Sequence, residues 1–259
     1  MKLFLWMAGM ITLIACSVDH TGNGGFSETS DGTDTGKPDT DTDKKTCDTS
    51  IIATIRDFSK DHPDFGTYCC GATVGMVSTT LGEDQKPVFQ PTYFDTTDTP
   101  MVTSKETFDQ WYNTIENINF AFEREIRLKE TAPGQFEYSN SAFFPLGEDE
   151  GFGDEGNGRN YYFTTEIHLN FDYKPGQLFS FTGDDDLFVF IEGKLVLDLG
   201  GVHEAEDAVI DLDTVAAMQG LTADETYAMD IFHAERHMSD SNFHIETTID
   251  CFTPGVVVK

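Results

Sequence analysis

From residue 51 onward the chain breaks into short runs of alternating or β-branched residues, each closed by a turn signal. That pattern limits the fold more than any other feature. The runs are 51–55, 161–171, 177–182, 187–191, 194–197, 227–232 and 243–249. Glu192-Gly193 sits between two of them as a hairpin turn, with Gly supplying φ > 0. Lys174-Pro175-Gly176 is a second turn, in which Pro pre-sets φ and Gly follows. Only 105–117 and 213–218 read as helical, and no internal repeat is apparent. Many short strands at close spacing predict an all-β fold: a two-sheet antiparallel β-sandwich or barrel with a few short helices. A single domain over 47–253, with a tail at 254–259, accounts for all the runs.

The chain before this domain reads as export and tether. Met1 and Lys2 precede an apolar run over 3–15, too short to span a bilayer but suited to a signal peptide over 1–15. It ends in Leu13-Ile14-Ala15-Cys16, which resembles a bacterial lipobox. The expectation is a protein lipidated at Cys16 and anchored without a spanning helix. Ser17 after the Cys favours, by the same resemblance, the outer membrane and the cell surface. Residues 16–46 hold Val18 and Phe26 as their only large apolar residues. Such a segment buries too little to offset its ordering entropy, and so reads as a disordered tether. Its repeated acids, Asp39-Thr40-Asp41-Thr42-Asp43, lack the central Gly and terminal Glu of an EF-hand loop.

Charge narrows the partners. With 46 acidic and 16 basic residues the net charge is −30. Binding to nucleic acid or to anionic lipid needs clustered Lys and Arg, so both are disfavoured. Setting Cys16 aside, Cys47, Cys69, Cys70 and Cys251 suit disulfides in an oxidising compartment. A bridge between the adjacent Cys69 and Cys70 would close a small strained ring. The expectation is that this step pairs outward, to Cys47 or Cys251. A zinc site of four thiolates is the rival, but no CxxC is present.

Several motifs then identify a resemblance. Ile55-Arg56-Asp57-Phe58 with His62-Pro63-Asp64-Phe65, Gly75-Met76-Val77, Phe108-Asp109-Gln110-Trp111-Tyr112, Phe143-Phe144-Pro145-Leu146, Asn160-Tyr161-Tyr162-Phe163-Thr164 and Phe232-His233-Ala234-Glu235-Arg236 resemble the fibro-slime domain of bacterial surface proteins. The stretch 183–201 is similar to the core of the protective-antigen-type β-barrels, which include the sugar-binding yeast flocculins. The resemblance implies a β-barrel outside the cell that engages glycan or polysaccharide in adhesion. It also implies a calcium cofactor held by two consecutive Asp joined by a cis peptide, an ion that then meets sugar hydroxyls.

Asp184-Asp185-Asp186 is where that chemistry falls. Three carboxylates in a row repel one another unless a cation or water lies between them. Calcium takes six to eight oxygens, so such a turn can supply its hard ligands. The resemblance places the ligand pair on Asp184 and Asp185. It puts Glu235 where flocculins have Asn, with the carbonyls of His237 and Ser239 as further ligands. Arg236 and His237, with Asp184, are the expected ligand-binding residues, and Asp186 is expected to face away. His233 and His237 have a helical metal spacing but fall at a strand end, which disfavours zinc. Gly151-Phe152-Gly153-Asp154-Glu155-Gly156 reads as a loop, not a phosphate cradle. Trp111, Tyr112, Tyr161 and Tyr162 are candidates to stack on sugar, although aromatics at this density more often form core. The leading function is a non-enzymatic binding module. A glycoside hydrolase using paired carboxylates is the alternative, and an assembly protein that binds another protein is a third.

Overall fold

The computed structural model describes residues 49–155 and 158–255. The expected signal segment, Cys16, the tether to residue 46, Cys47, Gly156 and the last four residues lie outside them. In chain order the elements are β1 (Ser50–Phe58), β2 (Gly71–Ala72), α1 (Tyr93–Thr96), α2 (Lys105–Phe108), β3 (Asn119–Arg127), β4 (Lys129–Ala132) and β5 (Gln135–Asn140). They continue with β6 (Phe163–Asp172), β7 (Leu178–Gly183), β8 (Asp186–Ile191), β9 (Lys194–Leu199), β10 (Gly201–Val202) and β11 (Glu206–Asp211). The last are α3 (Leu212–Gln219), β12 (Thr226–Glu235), β13 (Phe243–Thr247) and β14 (Phe252–Pro254). The fold is all-β, as the run pattern predicts.

Two antiparallel sheets enclose the main core. One runs β3-β1-β6-β12-β8-β9, with β14 also paired to β6. The other runs β11-β7-β13-β5-β4, and β10 pairs with β2 in a small ribbon. Strand alternation explains the core. Leu187, Val189 and Ile191 of β8 join Met229 and Ile231 of β12 between the sheets. Phe188 and Phe190, with Phe232 and Ala234, point to the opposite face. There the segment between β1 and β3 lays down a second apolar layer, which includes Phe65, Phe89, Tyr93, Phe108, Trp111 and Tyr112. Strand β8 is therefore buried on both faces, which is why 187–191 reads as an unbroken apolar run.

That outer layer also encloses charge. Glu166 accepts hydrogen bonds from Arg56 and Lys86, and from His168 Nε2 at 2.6 Å. His168 Nδ1 meets Asp230 Oδ1 at 2.6 Å. Burial pushes Glu166 up, but His168, Arg56 and Lys86 together hold its carboxyl down at about 2. Burial pushes His168 down, but Asp230 and Glu166 raise it to about 8, so both ring nitrogens donate.

The two predicted turns are present. Glu192 and Gly193 have φ of 50° and 67°, and Gly176 has φ of 85°. The helix expected over 105–117 is cut to α2. Ser104 caps it reciprocally with Thr107. Beyond Phe108 the chain turns so that Trp111 and Tyr112 reach the second core, and Asn119 Nδ2 takes up the carbonyls of Gln110 and Asn113. The strands at 119–140 were not legible. Edge strands β3 and β4 carry Glu123, Arg124, Glu125, Arg127, Lys129 and Glu130, charges that protect an edge but blur the alternation. Among the described residues no helix is long and apolar enough to cross a membrane.

Candidate functional site

The site lies at one rim of the sandwich, where β7 passes into β8 and β12 ends. Asp184 and Asp185 form the connection, and their peptide bond is cis, the form that the resemblance implies for the pair. The interior supports this turn. His233, fully buried, donates from Nε2 to the Asp184 carbonyl at 2.7 Å. Burial lowers the His233 pKa and keeps the ring neutral. The Asp185 N–H donates to Ala234 O at 3.2 Å, tying the turn to β12.

The carboxylates are sequestered. Asp184 is 5% exposed, Asp185 4% and Glu235 1%. Asp184 Oδ1 accepts from the Asn242 N–H at 2.5 Å, and Oδ2 from Asn242 Nδ2 at 2.8 Å. Asp185 Oδ2 accepts from the Arg236 N–H at 2.9 Å. Glu235 Oε1 accepts from the His237 N–H at 3.2 Å. Among the described residues its Oε2 has no hydrogen-bond partner; the nearby Ser241 hydroxyl gives its proton to Phe143 O at 2.7 Å. Burial pushes Asp185 up to about 7; Arg236 opposes the rise, and Asp186 and Asp184 add to it. Burial, with the charges of Asp185 and Asp184, raises Glu235 well above the carboxylate range.

These groups floor an open cleft of about 710 Å³. His237, Ser239 and Asn242 line it beside them, and Cys69, Cys70, Ala72 and Val202 line it elsewhere. The structure therefore brings Asp184, Asp185, Glu235, His237 and Ser239 to one place. It does not bring Arg236 with them. Arg236 is 1% exposed and is committed to Asp186 through Nε at 2.6 Å and Nη2 at 3.1 Å. It also donates to Met101 O and Asp64 O, and its guanidinium lies 4.6 Å from the Trp111 ring centre. The expected ligand donor is a positioning residue instead, because the outer aromatic layer covers it. Asp186 does face away from the cleft; its Oδ1 also accepts from the Gly201 N–H at 2.7 Å.

Other expectations are corrected. Cys69 and Cys70 are bonded to each other rather than outward. The backbone at Cys70 lies in the left-handed region, with φ of 81°, a conformation that a residue with a Cβ seldom takes. Cys251 is disulfide-bonded as well. Trp111, Tyr112 and Tyr162 are buried in the second core, and Tyr161 packs edge-on against Phe144, so Trp111, Tyr112 and Tyr162 cannot meet a sugar in the cleft. Asn242 is a site residue that sequence reasoning missed, and His233, weighed there only as a zinc ligand, instead supports the turn. A polar Ser-Asp-Ser-Asn run just before an apolar strand was the available signal for Asn242.

Among the described residues no group of three or more His, Cys, Asp or Glu side chains is arranged to hold a metal ion. Asn242 occupies both oxygens of Asp184 in this arrangement. The donor set still fits calcium. The carboxylates supply oxygen alone, they include Glu235 Oε2, buried and without a partner among the described residues, and His237 and Ser239 border the same cleft.

No family model matches the chain. It is 35% identical over 222 residues to protein psiC of Dictyostelium discoideum, covering 78% of this chain and 41% of that one. It is 36% identical over 200 residues to protein psiQ of the same organism, covering 71% of this chain and 19% of that one. This chain thus spans about two fifths or less of the length of these relatives. Among solved structures, the epithelial adhesin 6 A domain of Candida glabrata, in complex with Galb1-3GlcNAc, is matched at 15% identity and a TM-score of 0.35 over 83% of this chain and 91% of that one. The PA14 domain of the MpAFP antifreeze protein is matched at 10% identity and a TM-score of 0.31 over 84% and 92%. The chain is an all-β, two-sheet protein whose sequence is similar, over about three quarters of its length, to a segment of the Dictyostelium psi proteins.

Proposed function

We propose that this chain is a calcium-dependent glycan-binding module that serves adhesion at the cell surface. The observation that carries the reading is the convergence of Asp184, Asp185 and Glu235 on the floor of an open cleft, with Glu235 Oε2 buried and unpartnered. A buried carboxylate oxygen without a partner, beside two further buried carboxylates, is costly, and a divalent cation is the simplest compensation. Asp184, Asp185 and Glu235, with the carbonyls of His237 and Ser239, would hold it. The ion would supply free coordination positions for neutral hydroxyls. The protein's own residues do the rest. His233 fixes the Asp184 carbonyl, Asn242 orients the Asp184 carboxylate, and Arg236 presents its N–H to Asp185. The fibro-slime resemblance supports the same reading. Lipidation at Cys16 and display at the outer membrane are part of the proposal.

A glycan array read with calcium and with chelator, run beside a reducing-sugar release assay, tests it. Binding that needs calcium and proceeds without turnover is expected. Turnover would favour the hydrolase alternative, and binding that ignores the chelator would remove the calcium.

A further inference from the structure

We propose that the Cys69–Cys70 disulfide is the apolar wall of the cleft, and that the C–H face of a neutral or amine-bearing sugar ring packs on it while the carboxylate floor takes the ring's hydroxyls. The inference rests on the glycan reading of this cleft.

The wall is built from Cys69, Cys70, Gly71, Ala72 and Val202, and none of these side chains carries a hydrogen-bonding oxygen or nitrogen. Both cysteines are exposed, so the bridge faces solvent in the cleft rather than the interior. A pyranose has one edge of hydroxyls and one face of C–H groups. A cleft with a polar floor and a soft, polarisable apolar wall matches both at once.

The wall is also held in place. The Cys70 N–H donates to Val202 O at 3.1 Å, and β2 pairs with β10 beside it. A Cβ on Gly201 would stand 2.5 Å from Gly71 O, so the two strands meet at a separation that only glycine permits. Gly201 donates to Asp186, Asp186 is paired with Arg236, and the Arg236 N–H holds Asp185. Wall and floor thus hang on one buried ion pair, which keeps the gap between them fixed.

Charge names the ligand class. Glu204, Glu206 and Asp240 add carboxylates to the lining, and among the described residues His203 and His237 are its only basic side chains. A sulfated, sialylated or uronic glycan would enter against that field, whereas a neutral or amine-bearing one would not.

The test uses the full-length protein with two variants, Cys69→Ala with Cys70→Ala, and Ala72→Asp. Ala72 is exposed, so the second variant adds a charge to the wall and leaves the disulfide in place. Calcium affinity is measured by calorimetry and glycan affinity on an array of neutral, amine-bearing and acidic sugars. The expected result is calcium affinity unchanged in the cysteine variant and not weakened in Ala72→Asp, with neutral-glycan affinity lower in both by about tenfold, a loss equivalent to ~1.4 kcal/mol. Wild-type glycan affinity in both variants would overturn the proposal, as would acidic glycans binding as tightly as neutral ones. A wild type that takes calcium but no glycan of any class would overturn the glycan reading itself, and this proposal with it. That outcome is distinct because it appears before any variant is compared.

Discussion

At the scale of single residues, burial controls the charges. Thr164, Glu166 and His168 alternate with the apolar Phe163, Ile167 and Leu169 along β6. In sequence this reads as a solvent-facing row, and the cluster was not foreseen. The row is covered because the segment between β1 and β3 folds over it and supplies Lys86. His168 lies above its ordinary pKa of 6.5, at about 8, so its contribution to stability is complete below about pH 6.5 and lost as pH rises through 8. Glu166 lies below its ordinary 4.5, at about 2, so its contribution is present above 4.5 and lost as pH falls towards 2. The shift on His168 corresponds to about 2 kcal/mol. Urea unfolding of the wild type and of His168→Gln should show the difference between them shrinking by roughly that amount from about pH 6 to about pH 9. A constant difference would mean that the ring is not protonated. Glu235 gives a second prediction. Its carboxyl is buried beside two others, so Glu235→Gln should raise the melting temperature in chelator by a few degrees or about 1 kcal/mol. The same variant should weaken calcium binding, and a loss of stability in chelator would contradict the account of repulsion.

At the scale of elements, a strand or turn was legible wherever a local rule decided it. The β8–β9 hairpin followed from Glu192-Gly193, and the β6–β7 turn from Lys174-Pro175-Gly176. What depends on long-range packing was not legible. The Asp184-Asp185 pair could be located only through the resemblance, because an acidic hairpin end and a ligand turn look alike in sequence. Asn242 reaches Asp184 across 58 residues; the polar run before β13 marks a loop there but not the residue it meets. Gly183, at the end of β7, shows how tightly these elements meet. A Cβ there would stand 2.5 Å from Asn242 O and 2.6 Å from the Phe181 ring. Gly183→Ala should cost about 1–3 kcal/mol as an overpacked site. It should also weaken calcium binding, because Asn242 must move and Asn242 orients Asp184. Chemical denaturation with calcium calorimetry checks both effects; a stable variant with full affinity would show that β13 has slack at this point.

At the scale of the whole molecule, the second apolar layer sets this chain apart from a plain two-sheet sandwich. Phe65, Phe89, Phe108, Trp111 and Tyr112 pack on the outer face of the larger sheet, and the Arg236–Asp186 pair lies at their edge. The pair joins β12, the start of β8, the 59–118 segment through Asp64 and Met101, and the β2–β10 ribbon through Gly201. Removing one partner leaves a buried charge, so Arg236→Met should destabilise by about 3–5 kcal/mol. Combining it with Asp186→Asn should recover part of the loss, as a double-mutant cycle would measure. Equal losses that simply add would show that the two side chains act independently.

The central claim is that Asp184, Asp185 and Glu235 form one calcium site that a glycan needs. Titration calorimetry of calcium into the full-length protein, wild type against Asp184→Asn with Asp185→Asn, tests it most directly, each followed by a neutral glycan. The account predicts one bound calcium per wild-type chain, none in the variant, and glycan binding only where calcium is bound. Equal calcium affinity in the two proteins, or glycan binding by the calcium-free variant, would contradict it.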